Sequence, residues 1–343
     1  MKKLIVCCDG TWNRADQAKN GAACPTNVVR LAYRVANRDP AGTPQILYYG
    51  QGVGTGNALD RFTGGAFGGG LEANIFEAYR FLVANFEVGD ELFLFGFSRG
   101  AYTARSLGGM IRKCGILKRP SIAQYAAALA LYREPDSHPD DAGPRAFREQ
   151  HSLAGLAGIP IKFIGVWDTV GSLGVPVRGL RWLTRSKHEF HDTELSGSVA
   201  FAYHALALDE RRAPFVPTLW LDKPKPGQVV EQTWFCGVHS DVGGGYPERD
   251  LSDISLAWMI ERAAAPEVGL AFDAATSDAL ALAPDPLGAL HRSKKGLYVV
   301  TPGVDREPVL DGSDRTQSLH ASVRVRWDGA APPYRPRSLP ALP

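Results

Sequence analysis

Glu91-Leu92-Phe93-Leu94-Phe95-Gly96-Phe97-Ser98-Arg99-Gly100-Ala101-Tyr102 reads as an apolar strand that runs into a Gly-x-Ser-x-Gly turn and on into a helix. A sharp strand-to-helix turn lifts a serine hydroxyl clear of its backbone, as a serine nucleophile requires. Gly96 and Gly100 leave room for the turn. Beyond Ser98, the small residues Ala101, Ala104 and Gly108 recur at helical spacing, so the helix can lie close to the sheet and aim its N-terminal amides at the serine. The five-residue pattern alone is common by chance. Its setting between an apolar strand and a helix with a small-residue face makes Ser98 the candidate nucleophile rather than a structural turn serine.

On the N-terminal side, Lys3 to Cys8 is a continuous apolar run suited to a strand buried on both faces, and it ends in the polar turn Asp9-Gly10-Thr11-Trp12-Asn13. Thr26 is placed to cap a helix whose Val28, Leu31, Ala32 and Val35 form one stripe, and Pro44 to Tyr49 reads as a second strand. The glycine-dense stretch Gly50 to Gly70 lacks the Gly-Lys-Ser/Thr ending of a phosphate cradle, so it reads as a loop bordering the site. Leu71, Ile75, Ala78, Tyr79, Leu82 and Phe86 then stripe a helix. Strand and helix thus alternate three times up to Ser98. This order predicts an α/β fold of α/β-hydrolase type: a mostly parallel central sheet with helices on both faces and the chemistry at the carboxyl ends of the strands.

Downstream, the pattern predicts a helix over 121–133, a surface loop over 134–143 and a strand over 160–166 that delivers Trp167-Asp168-Thr169. A helix is expected over 193–208, carrying His204 in a structural role, followed by paired charges in Asp209-Glu210-Arg211-Arg212. Strands are expected over 215–221, 229–238 and 297–300, and a helix from Asp250. With no internal repeat and no clean linker, residues 1–330 read as one domain. The segments 115–158 and 173–200 look like lid or cap insertions, and 331–343 like a frayed Pro-rich tail.

The chain of 343 residues has 45% hydrophobic and 22% charged residues and a formal charge of +2, the profile of an ordinary globular protein with no electrostatic reason to bind nucleic acid. Five cysteines form no C-x-x-C pair, which suits reduced, buried thiols. The short apolar start meets Asp9 at once, and no stretch approaches the roughly 20 apolar residues of a membrane span. A cytoplasmic protein is therefore expected, with export by a signal-independent system compatible with the sequence.

Acyl transfer by a serine needs a base, a group that orients the base, and donors for the developing oxyanion. His239 follows the apolar run Trp234 to Val238 and is the candidate base, with His320 as its competitor near the C-terminus. Asp168, between nucleophile and histidine in sequence, gives the Ser, Asp, His order of α/β hydrolases. Asp241 is the alternative acid, or a cap for the glycine turn. The backbone N–H of Arg99 is the expected first oxyanion donor, and Gly10 or Thr11 supplies the second; Asp9 reads as structural. No cofactor is called for, and the substrate is expected to be a small or lipid ester, with contact to a membrane surface compatible. A metal-dependent hydrolase holding a cation at Asp9, Asp168, His239 and Asp241, and a non-catalytic binding module, are the rival readings.

Five motifs in order, Cys8-Asp9-Gly10-Thr11-Trp12-Asn13, Gly96-Phe97-Ser98-Arg99-Gly100-Ala101, Gly165-Val166-Trp167-Asp168-Thr169-Val170-Gly171, His204 to Arg212 and His239-Ser240-Asp241-Val242-Gly243-Gly244-Gly245-Tyr246, resemble one bacterial family. It is the α/β-hydrolase domain family of uncharacterised function that includes the catalytic domain of type VI secretion phospholipase effectors. The resemblance spans residues 4 to 260. It implies a triad at Ser98, Asp168 and His239 acting on ester bonds, with glycerophospholipids the substrates of the secreted members.

Overall fold

Side chains alternate across β1 (Lys3–Cys8), with Leu4, Val6 and Cys8 in the apolar layer on one face of the sheet and Ile5 and Cys7 in the layer on the other. A strand so buried needs helices on both sides. The computed structural model, which describes residues 1–10, 13–52, 66–170, 195–221, 223–294, 299, 302–339 and 341–342, supplies them. After β1 come a short hairpin of β2 (Ala18–Lys19) and β3 (Ala22–Ala23), then α1 (Asn27–Ala32), β4 (Gln45–Gly50), α2 (Ala66–Asn85) and β5 (Glu91–Phe97). The chain continues through α3 (Arg99–Cys114), α4 (Tyr125–Arg133), α5 (Ala142–His151), β6 (Ile161–Trp167), β7 (Val199–Ala207) and β8 (Val229–Phe235). It closes with α6 (His239–Gly243), α7 (Asp250–Ala264), α8 (Ala274–Ala279), β9 (Gln317–Leu319) and α9 (Ala321–Gly329).

Among the described residues, seven strands form one sheet in the order β4-β1-β5-β6-β7-β8-β9, and every neighbouring pair is parallel. Apolar residues of α2 and α3 cover one face; those of α1 and α7 cover the other. As anticipated, Thr26 caps α1, accepting from the Val29 amide. The chain leaves β1 toward β4 and returns to β5 on the opposite side of β1. Strand order therefore reverses between β1 and β5, and the loops after these two strands part to open a crevice at their carboxyl ends. Gly10 and Ser98 stand at that crevice.

Several expectations are corrected. The pattern over 193–208 suggests a helix because it is rich in alanine, yet Val199–Ala207 is the strand β7, carrying Phe201 and Tyr203 in a slot between β6 and β8. His204 is thus a strand residue. The stretch 215–221 is no strand: Ala213–Phe215 is a 3-10 turn, and Pro217 makes only an isolated bridge to Val170. Pro214 and Pro217 have no N–H to give a ladder. The strand expected over 297–300 falls largely outside the described residues, and β9 forms the sheet edge.

Segment 115–158, expected as a lid or cap insertion, packs in part on the core. Ile116, Leu117 and Ala128 join the apolar layer, and Arg148 Nη1 donates to the Lys113 carbonyl at 3.0 Å. With 16 residues α3 is about 24 Å long, so contacts at its C-terminal end lie at the edge of the sheet remote from Ser98. Of the other expected insertion, 173–200, residues 173–194 lie outside the described residues. The Pro-rich tail is not frayed: Tyr334 and Leu339 are buried against Leu206, Trp234 and Val323, and Tyr334 Oη donates to Asp209 at 2.8 Å. All five cysteines are buried free thiols, and among the described residues no helix is long and apolar enough to cross a membrane.

Candidate active site

Ser98 follows β5 directly, with φ 58° and ψ −120°, a backbone conformation that costs a residue with a Cβ of the order of 1–3 kcal/mol. The turn is that tight because α3 starts at the next residue and folds straight back on the sheet. A Cβ on Gly96 would lie 2.4 Å from the Gly100 carbonyl oxygen, and one on Gly100 would lie 2.1 Å from that of Cys8. Glycine at these two positions lets the helix N-terminus rest against the ends of β5 and β1. Arg99 is the first residue of α3, and the first intrahelical bond closes from the Tyr102 amide to the Ser98 carbonyl at 3.2 Å. The helix thus presents its N-terminal turn, with its partial positive charge, at Ser98.

The Ser98 amide donates to the Trp167 carbonyl at 3.0 Å, because β5 and β6 are in parallel register with Phe97 beside Trp167. Asp168 is therefore the neighbour of Ser98 across the strand ends. It too has positive φ, 36°, and is fully buried. Its Oδ2 faces His239 Nδ1 at 2.6 Å and accepts from Arg306 Nη2 at 3.0 Å; its Oδ1 accepts from Arg306 Nη1 at 3.2 Å and from the Ala207 amide at 3.1 Å. Burial works against this carboxylate's charge. The Arg306 guanidinium and His239 outweigh it and hold the carboxyl well below the usual range.

His239 opens α6 at the end of β8, with its ring 4.6 Å from that of Phe97 and 4.8 Å from that of Phe215. Phe97, the residue before Ser98, thus packs against the imidazole, with Phe215 edge-on to it. With Nδ1 on Asp168, Nε2 is the ring nitrogen that points away from the carboxylate. The His239 amide donates to Glu210 Oε2 at 3.3 Å, and Arg212 pairs with the same carboxylate at 2.9 Å.

The other candidates stand elsewhere. Gly10 lies over the serine, where a Cβ on it would come within 3.2 Å of Ser98 Cβ, but its N–H donates to Asp9 Oδ1 at 2.7 Å. The Gly10 amide is thus turned to its own neighbour rather than toward an oxyanion; Thr11 lies outside the described residues. Asp9, buried, also accepts from Thr26 Oγ1 and Tyr49 Oη, each at 2.8 Å, and burial pushes its carboxyl up to about 6. His320 caps α9, accepting from the Ser322 amide, and its ring lies 4.7 Å from that of Phe235. Asp241 accepts from the Val238 amide at 3.0 Å, capping α6, and faces His291 Nδ1 at 2.6 Å. His204 Nε2 accepts from the Thr169 amide at 3.0 Å, and burial pushes its imidazole down to about 3, so it is a neutral acceptor.

The four side chains of the metal reading are parcelled out: Asp9 to Thr26 and Tyr49, Asp241 to His291, Asp168 to His239 and Arg306. Among the described residues, no three His, Cys, Asp or Glu side chains come close enough to hold an ion. Sequence reasoning missed Arg306, Phe215 and Glu210 as parts of the site. Arg306 sits in Asp305-Arg306-Glu307-Pro308, which has no periodicity and no motif to signal it.

The profile of the family described as "T6SS, Phospholipase effector Tle1-like, catalytic domain" matches residues 2–262. A Saccharomyces cerevisiae protein described as uncharacterized, YEL023C, is 31% identical over 252 residues, which cover 68% of this chain and 35% of that protein. Two solved structures are also similar. One is an uncharacterized protein from Pseudomonas aeruginosa, with TM-score 0.47 and 19% identity over 79% of this chain and 46% of the other. The second is the Tle1 effector bound to the VgrG spike of the type 6 secretion system, with TM-score 0.43 and 20% identity over 72% of this chain and 52% of the other. The chain thus spans about a third of the yeast relative and about half of the two solved chains.

Proposed function

Because the chain belongs to the Tle1-like catalytic-domain family of type VI phospholipase effectors, we propose that it is a lipid-ester hydrolase working through Ser98, His239 and Asp168. The observation that carries this reading is the 2.6 Å contact between Asp168 and His239 Nδ1, set at the strand end next to a serine held at φ 58°.

In this reading Ser98 Oγ attacks the ester carbonyl carbon while His239 Nε2 takes its proton. Asp168 fixes the proton on Nδ1, so that Nε2 is the acceptor, and its charge stabilises the imidazolium. The Arg99 amide, at the positive end of α3, meets the oxyanion of the tetrahedral intermediate. As the intermediate collapses, His239 returns the proton to the leaving alcohol, which leaves Ser98 acylated. Water, deprotonated by the same imidazole, attacks the acyl carbonyl and releases the fatty acid. The substrate class follows from the family: a glycerophospholipid or related lipid ester met at a membrane surface.

The test is hydrolysis of phosphatidylcholine and phosphatidylglycerol vesicles and of a short p-nitrophenyl ester by the purified protein. Mass spectrometry after treatment with a fluorophosphonate follows covalent labelling. Ser98→Ala and His239→Ala are each expected to lower kcat by several orders of magnitude without adding, since they act as one unit, and the label is expected on Ser98. Equal rates in wild type and Ser98→Ala overturn the reading.

A further inference from the structure

Arg306 lies outside the span 2–262 that matches the catalytic-domain family, yet it makes the most extensive side-chain contact to Asp168. Its two terminal nitrogens each take a different carboxylate oxygen, at 3.2 and 3.0 Å, so the carboxylate is gripped as a plane and cannot rotate about its Cβ–Cγ bond. The guanidinium is itself held. Nη2 also donates to the Phe215 carbonyl at 2.7 Å and Nε to that of Glu210 at 3.3 Å. Its main chain is tied down as well: Gly303 bridges Arg212, the Val304 amide donates to the Arg211 carbonyl at 3.0 Å, and Asp305 pairs with Arg211. The stretch 209–212 is thus a junction. Its Glu210 side chain receives the His239 amide, while its main chain anchors the segment that delivers Arg306.

We propose that Arg306 is a positioning residue of the acid–base pair, supplied by the C-terminal segment, whose fork orients the Asp168 carboxylate and whose charge tunes the basicity of His239. This rests on the serine-hydrolase reading above. His239 Nδ1 and Arg306 Nη2 both bond to one oxygen, so Nη2 lies no farther from Nδ1 than the two contacts laid end to end. Through this shared oxygen the guanidinium and the imidazole draw on the same carboxylate charge, so removing the guanidinium changes the field at Nδ1. The charged groups around the ring are Asp168 and Arg306 at Nδ1, Glu210 with its partner Arg212 at the amide, and Asp241 two residues along α6, which is paired with His291. Arg306 is the cation that touches the carboxylate bonded to the ring.

The experiment compares Arg306→Gln, which removes the charge, with Arg306→Lys, which keeps a charge but loses the fork. In Arg306→Gln the acidic limb of the kcat/KM profile is expected to move up by roughly one to two pH units. Its kcat is expected to fall about 10²-fold with KM little changed, because the carboxylate is no longer held. In Arg306→Lys the limb stays in place while kcat falls. An Arg306→Gln protein with wild-type circular dichroism, a wild-type limb and wild-type kcat overturns the proposal. Should Arg306→Gln not fold, Arg306→Lys decides: wild-type kcat there refutes the role of the fork. A wild type without Ser98-dependent turnover removes the hydrolase reading alone. The NMR titration of the His239 imidazole needs no substrate, and an unchanged titration in Arg306→Gln refutes the electrostatic role by itself.

Discussion

Replacing Asp168 by Asn keeps the shape of the side chain and turns one acceptor into a donor, so its consequences can be worked contact by contact. Asp168 uses both oxygens as acceptors, Oδ1 from Ala207 and Arg306 Nη1, Oδ2 from Arg306 Nη2 and opposite His239 Nδ1. An amide has one oxygen. With its NH2 toward Ala207, two donors face two donors. With its NH2 toward His239, the imidazole must accept at Nδ1 and carry its proton on Nε2, where it can no longer take the proton of Ser98. We therefore expect Asp168→Asn to lower kcat by about 10³–10⁴-fold. It also leaves the Arg306 guanidinium buried with no counter-charge, which costs about 3–5 kcal/mol of stability. The sign with pH follows from the depressed Asp168 carboxyl. Its stabilising contribution is complete above the unfolded-state value of about 4 and is lost as pH falls through the still lower folded-state value, so the gap between wild type and variant is full at neutral pH and closes only in strong acid. Urea unfolding monitored by tryptophan fluorescence, alongside ester hydrolysis, measures both quantities. Adding Arg306→Met to Asp168→Asn is expected to restore part of the unfolding midpoint and none of the turnover. A single variant with wild-type midpoint and wild-type kcat refutes the reasoning.

Burial raises the Asp9 carboxyl from 3.8 to about 6, so the protonated form favours the folded state: stability is complete below about pH 4 and declines as pH rises toward 6, by roughly 3 kcal/mol. Asp9→Asn should flatten that part of the urea-unfolding profile, and a wild type already flat between pH 4 and 6 counts against the assignment. Gly100→Ala puts a methyl 2.1 Å from the Cys8 carbonyl oxygen, so α3 must lift from the strand ends. A drop of about 10 °C in melting temperature is expected, with loss of Ser98 labelling, and a wild-type melt would show the approach to be looser than described. Ser98→Gly relieves the cost of φ 58° where Ser98→Ala does not, so among these two inactive variants the glycine form should unfold about 1 kcal/mol less readily. Equal melts would mean that the turn carries no strain.

In the central sheet, β1, β4, β5 and β6 were legible because each is a largely apolar run ended by a polar turn, and α1, α2 and α3 show a stripe or a small-residue face, whereas the exposed hairpin β2–β3 and the polar helix α5 carry no such pattern. Legibility failed where composition and context disagree. Val199 to Ala207 alternates alanine with larger apolar residues, a pattern that suits helix or strand, and only the slot between β6 and β8 makes it a strand. Tyr334 and Leu339 sit among prolines that read as a loose tail, yet the apolar ends of β7 and β8 need a cover, and these side chains provide it. At the site, strand-end residues were recoverable because the rule about carboxyl ends names them without knowledge of contacts: Ser98 and Asp168 follow paired positions of β5 and β6, and His239 comes shortly after β8. Arg306 was not recoverable, since it reaches Asp168 across 138 residues from a segment with no pattern of its own. The Gly10 amide was misjudged for a different reason. Its position over Ser98 follows from strand order, whereas the direction of its hydrogen depends on the Asp9 side chain beside it.

Ser98 and Asp168 are two of the three non-glycine residues with positive φ among those described; the third, Asn20, is in the turn between β2 and β3. That the two conformationally costly positions at the site end adjacent strands is a consequence of the architecture. A residue leaving a buried parallel strand must turn sharply to keep its side chain at the crevice, because continuing along the strand would carry it past the sheet. What holds Ser98 in that turn is the pair of glycines that let α3 press against β1 and β5. Among the described residues no helix starts directly after Asp168. Its main chain is fixed by the bond from its amide to the Ala205 carbonyl at 2.8 Å, and its side chain by the Ala207 amide and Arg306. The position of Ser98 is therefore set by local sequence, and a motif can find it, while that of Asp168 is set by tertiary contacts from β7 and from the C-terminal segment. Arg306→Ala should accordingly lower turnover while the Ser98 turn, read as amide hydrogen exchange over 91–102, stays as in the wild type, because the contacts described for Gly96, Ser98 and Gly100 come from β1, β6 and α3.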